Sequence, residues 1–308
     1  MPIPDYPTDR DLDLDPCGTW PLSVHRFDRD TAAALRAAEA AGRPLLLRGV
    51  PGTGKSQTAR AAAAATGRLF VPVVIDGRSE AADLQWHYDA VGRLSDAHAP
   101  GAQARDAAHY LSPGPLWWAF DWAGAHRQWA LRRQGEAPVL PPGWTPGLGA
   151  VLLIDEIDKA DPDLPNAFLE VLGNQGFSLP FLGQGVVRGP VAPLVVITTN
   201  EERELPPAFL RRCLVHILKA PADLPDMGRR HLARRRLTGY PRVLQEAARL
   251  LDGDRARARE QQSYAPGLAE YLDLVIAVAT LETSEDGQWA LLEQTAGFVL
   301  DKAAPLPD

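Results

Sequence analysis

The stretch GVPGTGKS at residues 49–56 fills every fixed position of the pattern G-x-x-x-x-G-K-[ST]. Glycines at that spacing let a loop wrap tightly with its backbone N–H groups turned inward. A helix starting directly after it adds the positive end of its dipole, so phosphate oxygens settle there. In such a loop Gly49, Pro51, Gly52, Thr53 and Gly54 form the cradle. Lys55 reaches the β and γ phosphates, and the Ser56 hydroxyl ligates Mg²⁺. Lysine is scarce in this chain (Lys55, Lys159, Lys219 and Lys302 only), so its place in the motif is not a by-product of a lysine-rich composition.

A second stretch, VLLIDEIDKAD at 151–161, supplies carboxylates. Its apolar residues read as a buried strand, and the acids appear where that strand emerges. In a doubly wound sheet this end lies beside the phosphate loop. Asp155 suits the Mg²⁺ site through water, because Mg²⁺ keeps several waters. Glu156 is placed to polarise an attacking water as general base. Asp158 and Asp161 read as caps and surface charges of the next helix.

A sheet must hold these groups in register. PLLLRG (44–49) is a short apolar run ending in glycine, and its length and flanks favour a buried parallel strand. The same signature recurs in FVPVVI (70–75), VLLIDE (151–156), LVVITT (194–199) and CLVHIL (213–218), with helical stretches such as 57–66 and 164–172 between them. The alternation predicts an α/β fold: a P-loop NTPase three-layer αβα core around a parallel five-stranded sheet. After Leu218 the strands stop, and the Ala/Leu/Arg-rich remainder reads as an all-α lid. The expected organisation is a flexible N-terminal arm at 1–22, where Asp and Pro alternate, a core at 23–219 and a helical lid at 220–308. Between the second and third strands, Trp118, Trp122 and Trp129 fall near helical spacing and read as one helix packing aromatic rings on a core.

Composition bounds the rest. A formal charge of -7 argues against a dedicated nucleic-acid binder. The two cysteines, Cys17 and Cys213, have no metal or disulfide pattern and suggest a reducing compartment. The start carries no apolar signal-peptide region, and no apolar run reaches the roughly 18 residues of a membrane span. A cytoplasmic location with no membrane partner is the expectation. The arginines at 229, 230 and 234–236 read as a solvated helix face or an inter-subunit contact rather than a nucleic-acid site.

Taken in order, the phosphate loop, the DE pair, VVITTN (195–200) and LPPAFLRRCLVHI (205–217) resemble the core of an AAA+ ATPase. RPLLLRGVPGTGKS, LLIDEIDKADPDLPNAFLEVLGNQGFSLP and the LPPAFLRR run are most similar to the MoxR-like branch, related to magnesium chelatase and dynein-type modules. The resemblance implies ATP and Mg²⁺ as cofactors and hydrolysis in a homo-oligomeric, hexameric ring that remodels a client or co-encoded partner protein. It implies that Asn200 is sensor 1, holding the lytic water, and that Arg212 is the arginine finger acting on a neighbour's ATP. Arg211 is a second phosphate contact or surface charge. The segment 177–197 resembles the hairpin inserted before sensor 1, and 80–93 sits where the clade's pore-facing helix 2 insertion lies.

One departure bears on turnover. The stretch SYAPGLAEYLDL (263–274), where the lid of this branch carries a sensor 2 arginine, has none, and Arg255, Arg257 and Arg259 lie upstream. Alternatives are therefore a nucleic-acid-stimulated motor, whose activity would depend steeply on salt, and an ATP-binding switch with little turnover.

Overall fold

The five apolar runs form one parallel sheet in the order β5-β1-β4-β3-β2. Here β1 is Leu45–Arg48, β2 Leu69–Val74, β3 Ala150–Asp155, β4 Leu194–Thr199 and β5 Leu214–Ile217. The computed structural model describes residues 3–98, 105–179, 182–260 and 265–300. Its contacts divide the chain into two compact units. The first comprises Met1–Arg10, Phe27–Arg48 and Ser56–Ile217; the second comprises Asp11–Arg26, Gly49–Lys55 and Leu218–Asp308.

In the first unit β4 is central. It pairs with β1 through Val196 opposite Leu45 and with β3 through Ile197 opposite Ile154. Val151, Leu152, Leu153 and Ile154 are fully buried, which explains why β3 reads as a continuous apolar run rather than an alternating one. Each such side chain contributes roughly 1.5–3 kcal/mol of burial. This register brings the carboxyl ends of β1, β3 and β4 to one edge. Helix α1 (Arg29–Ala41) starts on the Asp28 cap, which accepts from the Thr31 N–H, and ends on Gly42 in the left-handed conformation. Helices α2 (Lys55–Thr66) and α3 (Leu164–Asn174) follow β1 and β3.

The segment expected to be one aromatic helix is two, Pro115–Phe120 and Trp122–Ala130. Asp121 leaves helical geometry between them and caps the second by accepting from the Gly124 N–H. Trp118 is buried in the core, and Trp122 stacks on His126 and meets Trp144 edge-on. Two antiparallel ribbons flank the sheet elements, one pairing Trp86–Tyr88 with Leu111–Pro113 and the other pairing Gly176–Leu179 with Gln184–Val187. Pro180 and Phe181 of the hairpin segment expected at 177–197 lie outside the described residues.

In the second unit four helices surround a core of Leu244, Leu251, Tyr271, Leu274 and Val278. They are α4 (Leu224–Arg234), α5 (Pro241–Glu260), α6 (Leu268–Leu281) and α7 (Glu285–Val299). Part of the expected flexible arm is structured here. Leu12–Leu14 pairs antiparallel with Ser23–His25, and Leu14 is buried. The acidic residues that suggested disorder face arginines. Arg230 meets Asp11 at 3.0 Å, while Arg234 meets Asp13 at 3.2 Å and Asp15 at 2.6 Å. Those arginines therefore pin a ribbon of their own unit, which neither sequence reading of the basic cluster anticipated. Residues 1–2, 261–264 and 301–308, parts of the expected arm and lid, lie outside the described residues. Among the described residues no helix is long and apolar enough to cross a membrane.

Candidate functional site

The carboxyl edge of the sheet gathers Ser56, Asp155, Glu156 and Asn200 into one hydrogen-bonded chain. The Ser56 hydroxyl donates to Asp155 Oδ1 at 2.7 Å. The same oxygen accepts from the Thr198 hydroxyl at 2.5 Å, and Thr198 Oγ1 in turn accepts from the Glu156 N–H at 3.0 Å. Asn200 Nδ2 donates to Glu156 Oε1 at 3.1 Å. Glu156 adopts φ 59° and ψ 47°, the left-handed region. For a residue other than glycine this conformation costs on the order of 1–3 kcal/mol, and the Thr198 bond helps hold it. The bend turns the chain out of β3 and leaves the Glu156 carboxylate facing the Asn200 amide.

Two residues of this network were not among the sequence candidates. Thr198 bridges the strand ends, and nothing in VVITTN distinguishes it from Thr199. Asp158, expected as a cap or surface charge, is instead 2 % exposed. It accepts from the Asn200 N–H at 3.3 Å and the Glu202 N–H at 3.0 Å, so it fixes the turn that carries Asn200. Asp161 fits its expected local role, accepting from the Asp163 N–H just before α3. Lys159 pairs with Glu202, and that hydrogen bond raises its pKa.

The loop Gly49–Lys55 belongs to the second unit. Gly49 and Gly52 have φ of 149° and 77°. A Cβ on Gly49 would lie 2.9 Å from the Leu218 carbonyl oxygen, and one on Gly52 would lie 3.2 Å from the Leu268 nitrogen. Both positions therefore require glycine. The Thr53 hydroxyl donates to the Val50 carbonyl, and the buried Lys55 ammonium donates to the Gly49 and Val50 carbonyls at 2.8 and 3.0 Å. A tight glycine loop with an inward lysine at the start of α2 fits a phosphate chain. Ser56 and Asp155 offer hard oxygen donors of the kind Mg²⁺ takes.

Arg212 stands apart from this network. It precedes β5, at the amino edge of the parallel sheet, whereas Asp155 closes β3 at the carboxyl edge. Arg43 holds the backbone there, donating to the carbonyls of Arg211, Arg212 and Cys213. The side chains of Arg211 and Arg212 are exposed, and among the described residues neither guanidinium has a hydrogen-bond or ion-pair partner.

A parallel sheet in this order, a phosphate loop after β1 and an acid pair after β3 narrow the choice, and a family comparison decides it. Residues 44–213 match the model of the AAA domain, dynein-related subfamily. The chain belongs to this family. A comparison with curated proteins finds no match. Among solved structures it is similar to a presumed ATPase from Cytophaga hutchinsonii, at 12% identity and a TM-score of 0.42, covering 88% of this chain and 80% of that one. As an AAA-family ATPase domain, the protein carries its candidate machinery on loops at the sheet edge, where side chains can meet a ligand without disturbing the core.

Proposed function

We propose that the protein is a MoxR-like AAA+ ATPase that binds ATP with Mg²⁺, hydrolyses it, and acts as a homo-oligomeric, hexameric ring to remodel a client protein. The observation that carries this reading is the hydrogen-bonded chain Ser56–Asp155–Thr198–Glu156–Asn200. In this reading it supplies a metal-ligating pair, a general base and a water-orienting amide, the groups that phosphoryl transfer to water uses. Gly49, Pro51, Gly52, Thr53, Gly54 and Lys55 hold the phosphates, and Ser56 and Asp155 hold Mg²⁺, which would neutralise charge on the β and γ phosphates. Glu156 takes a proton from the attacking water while Asn200 orients it. Arg212, exposed and without a side-chain partner among the described residues, serves a neighbouring subunit. The client is engaged through the ribbon Gly176–Leu179/Gln184–Val187 and the segment 80–93, on which Val187 and Val91 are exposed apolar residues. The protein works in the cytoplasm.

Calorimetric titration with ATP and Mg²⁺, paired with a phosphate-release assay, tests the reading. The parent should bind and turn over ATP, and Lys55→Ala should abolish binding by removing the loop's charged phosphate ligand. Unchanged ATP affinity in that variant would remove the assignment of the loop. Binding without turnover in the parent would leave a switch in place of an enzyme.

A further inference from the structure

The amino edge of the sheet holds a second constellation that the proposed reaction does not use. A half-open cavity of about 180 Å³ lies there. Arg43, Arg68, Arg188 and Glu39 line it, and Phe120, Leu172 and Leu194 supply apolar wall. We propose that this cavity binds a small organic carboxylate with an apolar body, through Arg188 and Arg43.

The charges around the cavity do not balance. Arg68 makes a bidentate pair with Glu39, at 3.0 and 3.1 Å, and the Tyr6 hydroxyl also donates to Glu39, so that carboxylate is spent within the protein. Arg43 gives its hydrogens to neutral backbone carbonyls and makes no ion pair among the described residues. Arg188 donates from Nη2 to the neutral Gln175 side chain at 2.9 Å, and its buried Nε has no hydrogen-bond partner among the described residues. Two uncompensated guanidinium groups therefore share a largely apolar cavity. An unsatisfied buried donor is unfavourable, and an anion on the planar guanidinium edge satisfies it with two parallel bonds. The apolar walls favour a carboxylate on a hydrocarbon or aromatic body over a fully hydrated inorganic anion. Because Arg43 also holds the Arg211–Cys213 carbonyls, a bound carboxylate would act on the turn that presents Arg212. That consequence rests on the function proposed above, whereas binding itself does not.

Calorimetric titration of benzoate into the full chain tests the site, with inorganic phosphate as a parallel probe. Benzoate should bind saturably, and Arg188→Gln should weaken it by about tenfold or more. Ala192→Trp, a change at an exposed position on the cavity rim, should block it while every arginine remains. Lys55→Ala should bind benzoate like the parent, which separates this site from the nucleotide loop. Thermal melts of each variant identify any loss caused by unfolding, and the rim variant decides if Arg188→Gln does not fold. Absence of saturable binding in the parent would overturn the proposal. Equal affinity in Arg188→Gln and Ala192→Trp, or phosphate binding where benzoate is ignored, would do the same.

Discussion

The carboxyl ends of β3 and β4 and the turn before β5 hold their functional candidates by opposite means. At the first, each side chain is fixed by another: Ser56 and Thr198 on Asp155, Asn200 on Glu156, and Asp158 on the backbone that carries Asn200. At the second only the backbone is fixed, by Arg43, while Arg211 and Arg212 extend from it without partners among the described residues. Under the proposed function the difference follows from where each group would work. A base and a metal ligand would serve a substrate held by their own chain, so preorganisation would reduce the cost of reaching the transition state. A side chain that served another molecule would gain nothing from partners at home, and would need only a rigid root.

The largest expected effect probes the free side chain. A transition-state cation can supply roughly 10³–10⁵-fold in rate, so Arg212→Ala should lose turnover by about that factor while keeping ATP affinity. Lys55→Ala should also be inactive, and mixing the two variants should recover part of the activity at interfaces that pair an intact loop with an intact arginine. Specific activity of the parent should rise with protein concentration as subunits assemble. A monomer with a concentration-independent rate, and no rescue on mixing, would break the comparison.

Next in size is the base. Glu156→Gln keeps the shape and the Asn200 contact but loses proton acceptance, and should reduce turnover by about 10²–10⁴-fold. ATP and Mg²⁺ affinity should stay at the parent value by calorimetry. Hydrolysis at the parent rate would place the base elsewhere.

Thr198→Val then tests the bridge. The substitution leaves the Glu156 N–H without its acceptor and removes one bond from Asp155, a loss of about 1–3 kcal/mol. Turnover should fall by roughly 10–100-fold if that loss is expressed in the transition state. The Mg²⁺ requirement should rise as well. A change in melting temperature alone, with kcat intact, would reduce Thr198 to a structural residue.

Much of this was legible in the sequence for a physical reason. Parallel strands buried on both faces must be continuous apolar runs, so β1 to β5 stand out, and a phosphate loop cannot be built without its glycines. Thr198 was not legible, because a threonine in a β-branched run is ordinary strand sequence and only the fold brings it to Asp155. Asp158 was misread because an acid just before a helix is usually a cap; here the chain bends at Glu156 and turns it inward. The arm was misread for the converse reason. Alternating Asp and Leu suits disorder and a strand equally, and the partners that decide the matter, Arg230 and Arg234, lie more than two hundred residues away in sequence.

The smallest expected effect concerns the rigid root itself. If the turn before β5 works by presenting Arg212 on a fixed backbone, loosening that backbone should cost rate without touching the nucleotide. Arg43→Lys retains the positive charge but replaces a planar fork with a single ammonium, which cannot span the carbonyls of Arg211, Arg212 and Cys213 in the same way. One or two hydrogen bonds should be lost, at about 0.5–1.5 kcal/mol each. If half of that appears in the transition state, kcat should fall by about two- to tenfold at saturating protein and ATP. ATP affinity should not change, because Arg43 sits at the opposite edge of the sheet from Asp155. The variant should also behave unlike Arg212→Ala when mixed with Lys55→Ala, giving partial activity before mixing as well as after. A kcat equal to that of the parent would mean that β5 holds the turn without Arg43. A loss as large as that of Arg212→Ala would mean that Arg43 acts on the reaction directly and not through the backbone it holds.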